Sequence, residues 1–344
     1  METVLMYALF AFGLLLIIKG ADWFVDGATW LAEVTGMPKF IIGATIVSIA
    51  TTLPEIIVSS MAAFEGFSIL SSGVENAQIL ATERVGMAIG NSVGSVVCNT
   101  AMIMAISIMF MPTEIDRKKF GPRVVILAAA IAALVGFTVD GELSAKASIV
   151  LLVIFGMYIF ENIKSTKTDL EDDYIDEKPQ SDKKTIARNT VGIVIGSFCV
   201  VIGSRLIVNC GSEIAKSWGV SEAMIGVTMV AIGTSLPELV TAIVAVIKKQ
   251  PSISIGNVIG ANVIDIALIM PICTLIYSGS LPVSEQNIYL DFPVCLLVSV
   301  IALVPAVIGK KFYRWQGVLL LLVYIAYIVV AGLKPDWYLS LVTA

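Results

Sequence analysis

The sequence predicts an all-α polytopic membrane protein, with about ten transmembrane helices arranged as two inverted five-helix repeats. Three observations carry this. The chain is 57% hydrophobic and 14% charged, with a mean hydropathy of +0.92. A soluble domain carries roughly 25% charged residues, so part of this surface must face lipid. The apolar residues fall in blocks near the ~20 residues that a spanning helix needs, not in the short alternating segments of a membrane barrel. Finally, the first half of the chain is echoed in the second.

The apolar segments cover about 3–27, 39–64, 86–111, 123–139, 145–163, 189–210, 222–247, 253–278, 290–308 and 315–333. Charged residues interrupt the first and sixth. Lys19 and Asp22 follow the first apolar run with no small-residue cleavage site, so it reads as a spanning helix and not as a signal peptide. Residues 164–188 are highly charged and contain Pro179. They read as a solvated cytoplasmic loop between a first repeat, 1–163, and a second, 189–344. With the N-terminus outside, sixteen Lys and Arg fall on the inner side, among them Arg117, Lys118, Lys119, Arg123 and Lys248. Only Arg84, Lys146, Lys216 and Lys334 fall outside. The positive-inside bias therefore places both termini outside, in a multi-pass protein of the cell (plasma) membrane.

Composition also excludes. A net charge of −5, with no basic run interleaved with aromatics, argues against a nucleic-acid partner. Histidine is absent, which removes the commonest metal ligand and the usual neutral-pH proton shuttle. The five cysteines lie in apolar stretches without CxxC spacing and read as packed free thiols. No nucleophile–base pair or phosphate loop is present, so neither an enzyme nor a cofactor is expected. Partners are then the bilayer and ions, with the chain a monomer or weak homo-oligomer.

Residues 20–55 overlay residues 203–238 at a shift of 183 without a gap, and 13 of 36 positions are identical. A second block, Ile89-Gly90-Asn91-Ser92-Val93-Gly94, matches Ile255-Gly256-Asn257-Val258-Ile259-Gly260 at a shift of 166. The first half thus carries 17 extra residues, around 65–84, in an expected outer loop. A duplicated unit of five helices must enter the membrane with opposite polarity the second time. Inverted repeats are a hallmark of secondary transporters, whose sites lie near the midplane between the repeats.

The matched blocks hold the chemistry. They are Ser48-Ile49-Ala50-Thr51-Thr52-Leu53-Pro54-Glu55 and Ala231-Ile232-Gly233-Thr234-Ser235-Leu236-Pro237-Glu238, both central in an apolar span. Pro54 and Pro237 lack an N–H and crowd the carbonyl four residues earlier, so each helix should break and leave carbonyls of 48–51 and 231–234 unpaired. Such carbonyls are tolerated at membrane depth only where they line a cavity or are otherwise satisfied. Thr51, Thr52, Thr234 and Ser235 add hydroxyls. Glu55 and Glu238 each place a carboxylate where even the lenient insertion scale charges roughly 2.5–3.5 kcal/mol. After the second block, Ser95 and Asn99 share a helical face, and the repeat puts Ala261 and Asp265 in their places. One proline alone would be a kink, and one Thr pair uninformative; the whole set occurring twice calls for a cation. An all-oxygen shell suits hard cations such as Ca²⁺. Asp22, Asp26 and Arg205, the repeat mate of Asp22, read as interfacial or paired charges, not ligands.

At these residues the chain resembles the cation/Ca²⁺ exchanger superfamily, and within it the prokaryotic Na⁺/Ca²⁺ exchangers. Gly233-Thr234-Ser235-Leu236-Pro237-Glu238 carries the family block in full, and Ala50-Thr51-Thr52-Leu53-Pro54-Glu55 carries it with two conservative changes. The Gly-Asn segments continue it. The resemblance implies a secondary antiporter exchanging Na⁺ for Ca²⁺ by alternating access, the first and sixth helices sliding over the core. Glu55 and Glu238 would be central Ca²⁺ ligands, with carbonyls near Thr51 and Thr234, and Asn99 and Asp265 would complete the centre. Ser95, Thr52 and Ser235, with the carbonyls of Ser48 and Ala231, would help form flanking Na⁺ sites. Ala261 departs from the family's serine and Val96 from its asparagine. Ca²⁺/H⁺ exchange on the same carboxylates, and a cation channel, remain alternatives at this stage.

Overall fold

The computed structural model describes residues 2–73, 76–172, 182–218 and 233–333. Its helices are α1 (Glu2–Thr35), α2 (Lys39–Thr51), α3 (Leu53–Ser71), α4 (Ala77–Phe110), α5 (Arg117–Phe137), α6 (Ala145–Asp172), α7 (Lys183–Ser217), α8 (Leu236–Ile247), α9 (Pro251–Tyr277), α10 (Asn287–Gly309) and α11 (Arg314–Leu333). Among the described residues, nine helices are long and apolar enough to cross a membrane. α2 leads through a break into α3, and α8 is the second half of the span expected at 222–247.

α4 and α9 form the centre. They are buried over 72% and 78% of their most apolar stretch, against 22% for α1 and α7. Small residues make this possible. A Cβ on Gly260 would lie 2.5 Å from Ser48 Oγ and 2.6 Å from the Ala44 carbonyl, and one on Gly256 would run into the Phe40 carbonyl. α2 therefore lies directly against α9, backbone to backbone. Tyr158 on α6 braces the same stretch by donating to the Ala44 carbonyl.

α1 and α7 pair at the periphery. Gly13 faces Gly203, Gly20 faces Gly196 and Gly27 faces Ile193, so the two helices run antiparallel. The glycines recur every seven residues, the spacing of a packed helix seam. Gly13 and Gly196, and likewise Gly20 and Gly203, are repeat mates at the shift of 183. The seam is thus a pseudo-twofold contact between equivalent helices of opposite direction, as an inverted repeat requires.

Several boundaries differ from the sequence reading. α1 and α7 are 34 and 35 residues long, about 51 Å at 1.5 Å per residue. α1 runs through its charges with Asp22 and Asp26 both paired to Lys248, at 2.6 Å each, and α7 with Arg205 exposed. The expected loop 164–188 is helical up to Asp172 and again from Lys183. The extra residues of the first half mostly lengthen α3 and α4 instead of forming a loop. Arg123, counted as a loop cation, lies inside α5 and is fully buried. Its Nε donates to Asn162 Oδ1 at 2.7 Å, NH1 donates to the Lys119 carbonyl, and its guanidinium sits 5.5 Å from the Phe40 ring centroid. A two-residue antiparallel ribbon, β1 (Glu142–Leu143) with β2 (Leu281–Pro282), ties the α5–α6 and α9–α10 connections together. The cysteines are free thiols, four of them buried.

Gly256→Ala forces a methyl into the α2 backbone and should cost about 1–3 kcal/mol, the range for overpacking. Gly156→Ala, at a helix position with nothing within 4 Å, should be neutral or stabilising. Thermal unfolding of the purified variants in detergent reads both; equal midpoints would show that α2 and α9 do not depend on this approach.

Candidate cation site

The site is built on two helix breaks. α2 ends at Thr51, Thr52 turns at φ −83°, ψ 0°, and α3 starts with Leu53-Pro54-Glu55. Ser235, at φ −84°, ψ 7°, makes the same turn before Leu236-Pro237-Glu238 of α8. Each break falls two residues before the proline, whose missing N–H costs nothing in a first turn. Each glutamate then sits in the first turn of a helix, where the dipole favours negative charge.

Glu55 and Glu238 are both 1% exposed. Glu238 Oε1 accepts from the Thr52 hydroxyl at 3.3 Å, while Oε2 and both oxygens of Glu55 have no partner. Asp265, fully buried, accepts from Asn99 Nδ2 at 3.5 Å; its Oδ1 and Asn99 Oδ1 are unpartnered. Among the described residues, no lysine or arginine forms an ion pair with any of the three acids. The expected set therefore comes together as uncompensated oxygen. The three acids do not by themselves close into a cage, so hydroxyl, amide and backbone oxygens must share the work.

Hydroxyls and amides frame the acids with near-twofold symmetry. The Thr51 hydroxyl lies 3.2 Å from Asn257 Oδ1, and Thr234 donates to Asn91 Oδ1 at 3.3 Å. The symmetry fails one step further on. Ser235 donates to Ser95 at 3.4 Å, but the mate of Ser95 is the methyl of Ala261. Thr52, the mate of Ser235, bonds Glu238 instead.

Two expectations change. The Ser48 carbonyl is not free: it accepts the Thr52 N–H at 2.9 Å. Its hydroxyl turns back to the Thr45 carbonyl. Ala231 lies outside the described residues. Two features went unread in the sequence. Asn91 and Asn257 orient the threonines, a role that their place in both Gly-Asn motifs could have suggested. The other is a change of helix type: α4 and α9 switch to π-helix at Asn99–Met104 and Asp265–Ile269. The two π-segments begin at the matched positions Asn99 and Asp265; such bulges often accompany function.

Comparison with known proteins agrees with this site. The family described as Sodium/calcium exchanger protein matches residues 5–164 and 188–333. An uncharacterized membrane protein of Methanocaldococcus jannaschii is 30% identical over 94% of this chain and 97% of its own length. Sodium/calcium exchanger MaX1 of Methanosarcina acetivorans is 29% identical over 92% and 96%. A solved structure of the sodium-calcium exchanger NCX_Mj superposes with a TM-score of 0.76 at 30% identity, covering 96% of this chain and 99% of that one. Its relatives are transporters, and the chain belongs to the sodium/calcium exchanger protein family.

Proposed function

We propose that this protein is a Na⁺/Ca²⁺ antiporter of the cell membrane that offers one all-oxygen site to each side in turn. One observation carries the reading. Two symmetry-related glutamates are buried at helix breaks, and three of their four oxygens lack a partner. Leaving a buried charge unpaired costs several kcal/mol, and a bound cation removes that cost. Carboxylate, hydroxyl and amide oxygens suit Na⁺ and Ca²⁺. The same oxygens serve both ions, so binding is competitive, and an inward Na⁺ gradient would drive Ca²⁺ out. Glu55 and Glu238 hold Ca²⁺ with Asn99, Asp265 and the carbonyls near Thr51 and Thr234, while Thr52, Ser235 and Ser95 line the flanking positions. The basic inner segments favour both termini outside.

The packing supports alternation. The α1–α7 pair is symmetric about its own seam but rests on one side of the core. α1 packs along α8, and α7 makes no comparable packing on α3, among the described residues. The twofold relation supplies a second, equivalent seat, and exchange of seats is the kind of rigid-body movement that alternating access uses.

The direct test is ⁴⁵Ca²⁺ uptake into proteoliposomes loaded with Na⁺ and diluted into Na⁺-free buffer. Matched vesicles receive only a pH gradient. Uptake on the Na⁺ gradient is expected; uptake on the pH gradient alone would reassign the coupling ion and sink the proposal. Glu55→Gln and Glu238→Gln should each slow exchange about a hundredfold or more, as expected for losing a charge worth roughly 3 kcal/mol. Near-normal exchange by either would remove that residue from the site. Ala261→Ser restores the missing hydroxyl and should lower the Na⁺ concentration that half-inhibits ⁴⁵Ca²⁺ uptake, whereas Ser95→Ala should raise it.

A further inference from the structure

The twofold relation reaches beyond the site, and there it reverses charge. The shift of 183 that equates Glu55 with Glu238 continues along the same helices and equates Glu65 with Lys248. It also equates Asp22 with Arg205, Glu33 with Lys216, and Lys39 with Glu222. Every one of these mates has the opposite sign. The positive-inside bias explains why. In an inverted repeat, equivalent segments lie at opposite faces of the membrane, so a basic inner end in one half corresponds to an outer end in the other that is free to be acidic. Helices packing against those ends then need the complementary charge.

In this structure one such contact is made. Lys248, just past the end of α8, lies 2.6 Å from Asp22 and 2.6 Å from Asp26 on α1, and it donates to the Asp22 carbonyl at 2.9 Å. Burial of the ammonium works against its charge, but the two carboxylates outweigh it and hold Lys248 above the usual lysine range. The Lys39–Glu33 pair, at 3.6 Å, lies at the same end of α1. The mirror contact is not made. Arg205 on α7 is exposed, with no ion-pair partner among the described residues. Glu65 on α3 is instead held by Arg84 at 3.9 Å. The ion pairs thus follow the packing: α1 on α8 is closed and charged together, and α7 on α3 is neither.

We propose that Lys248 with Asp22 and Asp26, and Glu65 with Arg205, are two mirror-image latches of reversed charge that hold the α1–α7 pair in its two seats, one engaged in each state. This rests on the alternating reading above. Leaving the present seat breaks the lysine clamp. Arriving at the second brings Arg205 to Glu65, which exchanges Arg84 for it. The five residues lie outside the ion site; they are positioning residues. Because the latches are built from charges of opposite sign, a substitution in one cannot be mimicked by the same substitution in the other.

The test cross-links each latch in the full chain. The double variants Asp26→Cys with Lys248→Cys, and Glu65→Cys with Arg205→Cys, are oxidised in proteoliposomes. Disulfides are identified by mass spectrometry. Both should form, each should stop Na⁺-driven ⁴⁵Ca²⁺ uptake about tenfold or more, and reductant should restore it. Formation of the first disulfide without the second, in protein that still binds ⁴⁵Ca²⁺, would overturn the proposal. Charge exchange is the second arm. Arg205→Glu should slow exchange up to about fivefold, the scale of a half-exposed ion pair, and Glu65→Arg in the same chain should restore it. A normal rate for Arg205→Glu, or no rescue, also counts against the latch. The cross-links are read by mass without any transport, so a chain that latches but does not exchange would fail the exchanger reading and not this one.

Discussion

A carboxylate in hydrocarbon needs a cation, and most of this architecture follows from meeting that need without a lysine or arginine. Glu55 and Glu238 could have been neutralised by a buried base, and Arg123 shows that the fold can bury one. Instead that guanidinium is held by an asparagine of α6 and a backbone carbonyl of its own helix. The two glutamates are left to helix N-termini and, for Glu238, to a hydroxyl. Those are partial charges, strong enough to orient an acid and too weak to discharge it. In the proposed reading a mobile ion completes the balance, and it can leave because nothing covalent holds it.

The same need sets the division of labour among helices. Broken backbone is tolerable at this depth only when enclosed by protein. α4 and α9 supply that enclosure, and their glycines let α2 come close enough to seal one side of it. α1 and α7 contribute little burial to the centre. They are bound mainly to each other through a glycine seam. Symmetry within the site is exact where geometry demands it, at the paired Thr–Asn contacts, and relaxed at Ser95 and Ala261. The two flanks of the centre are therefore chemically unequal even though their backbones correspond.

Much of this was legible in the sequence because it is written twice. The Thr-Leu-Pro-Glu blocks, the Gly-Asn blocks and the Asn99/Asp265 correspondence all rest on two copies agreeing, and the structure brings those side chains together. Helix ends were less legible. Hydropathy sees the membrane's thickness and not the helix, so α1 and α7 outran their apolar cores, and charged residues at 164–172 continued a helix that composition read as loop. Arg123 was misplaced for a related reason: a cation near a span's edge looks solvated until Asn162 and Phe40, on other helices, are in view. The Ser48 carbonyl was expected to be free because Pro54 is in the chain. The proline frees only the carbonyl four residues before it, and Thr52 supplies the N–H that Ser48 needs.

The π-segments of α4 and α9 also date themselves. Each accommodates an extra residue in a helix, and the two start at positions that correspond in the halves of the chain. The coincidence is what a distortion older than the doubling would leave in both copies. The π-segment at Asn287–Asp291 of α10 has no equivalent in α5, which is α-helical throughout. That one is confined to one copy. The distortion at Asn99 and Asp265 is thus common to both halves and that of α10 is not, while α2 carries a further π-segment at Gly43–Val47 whose mate lies outside the described residues.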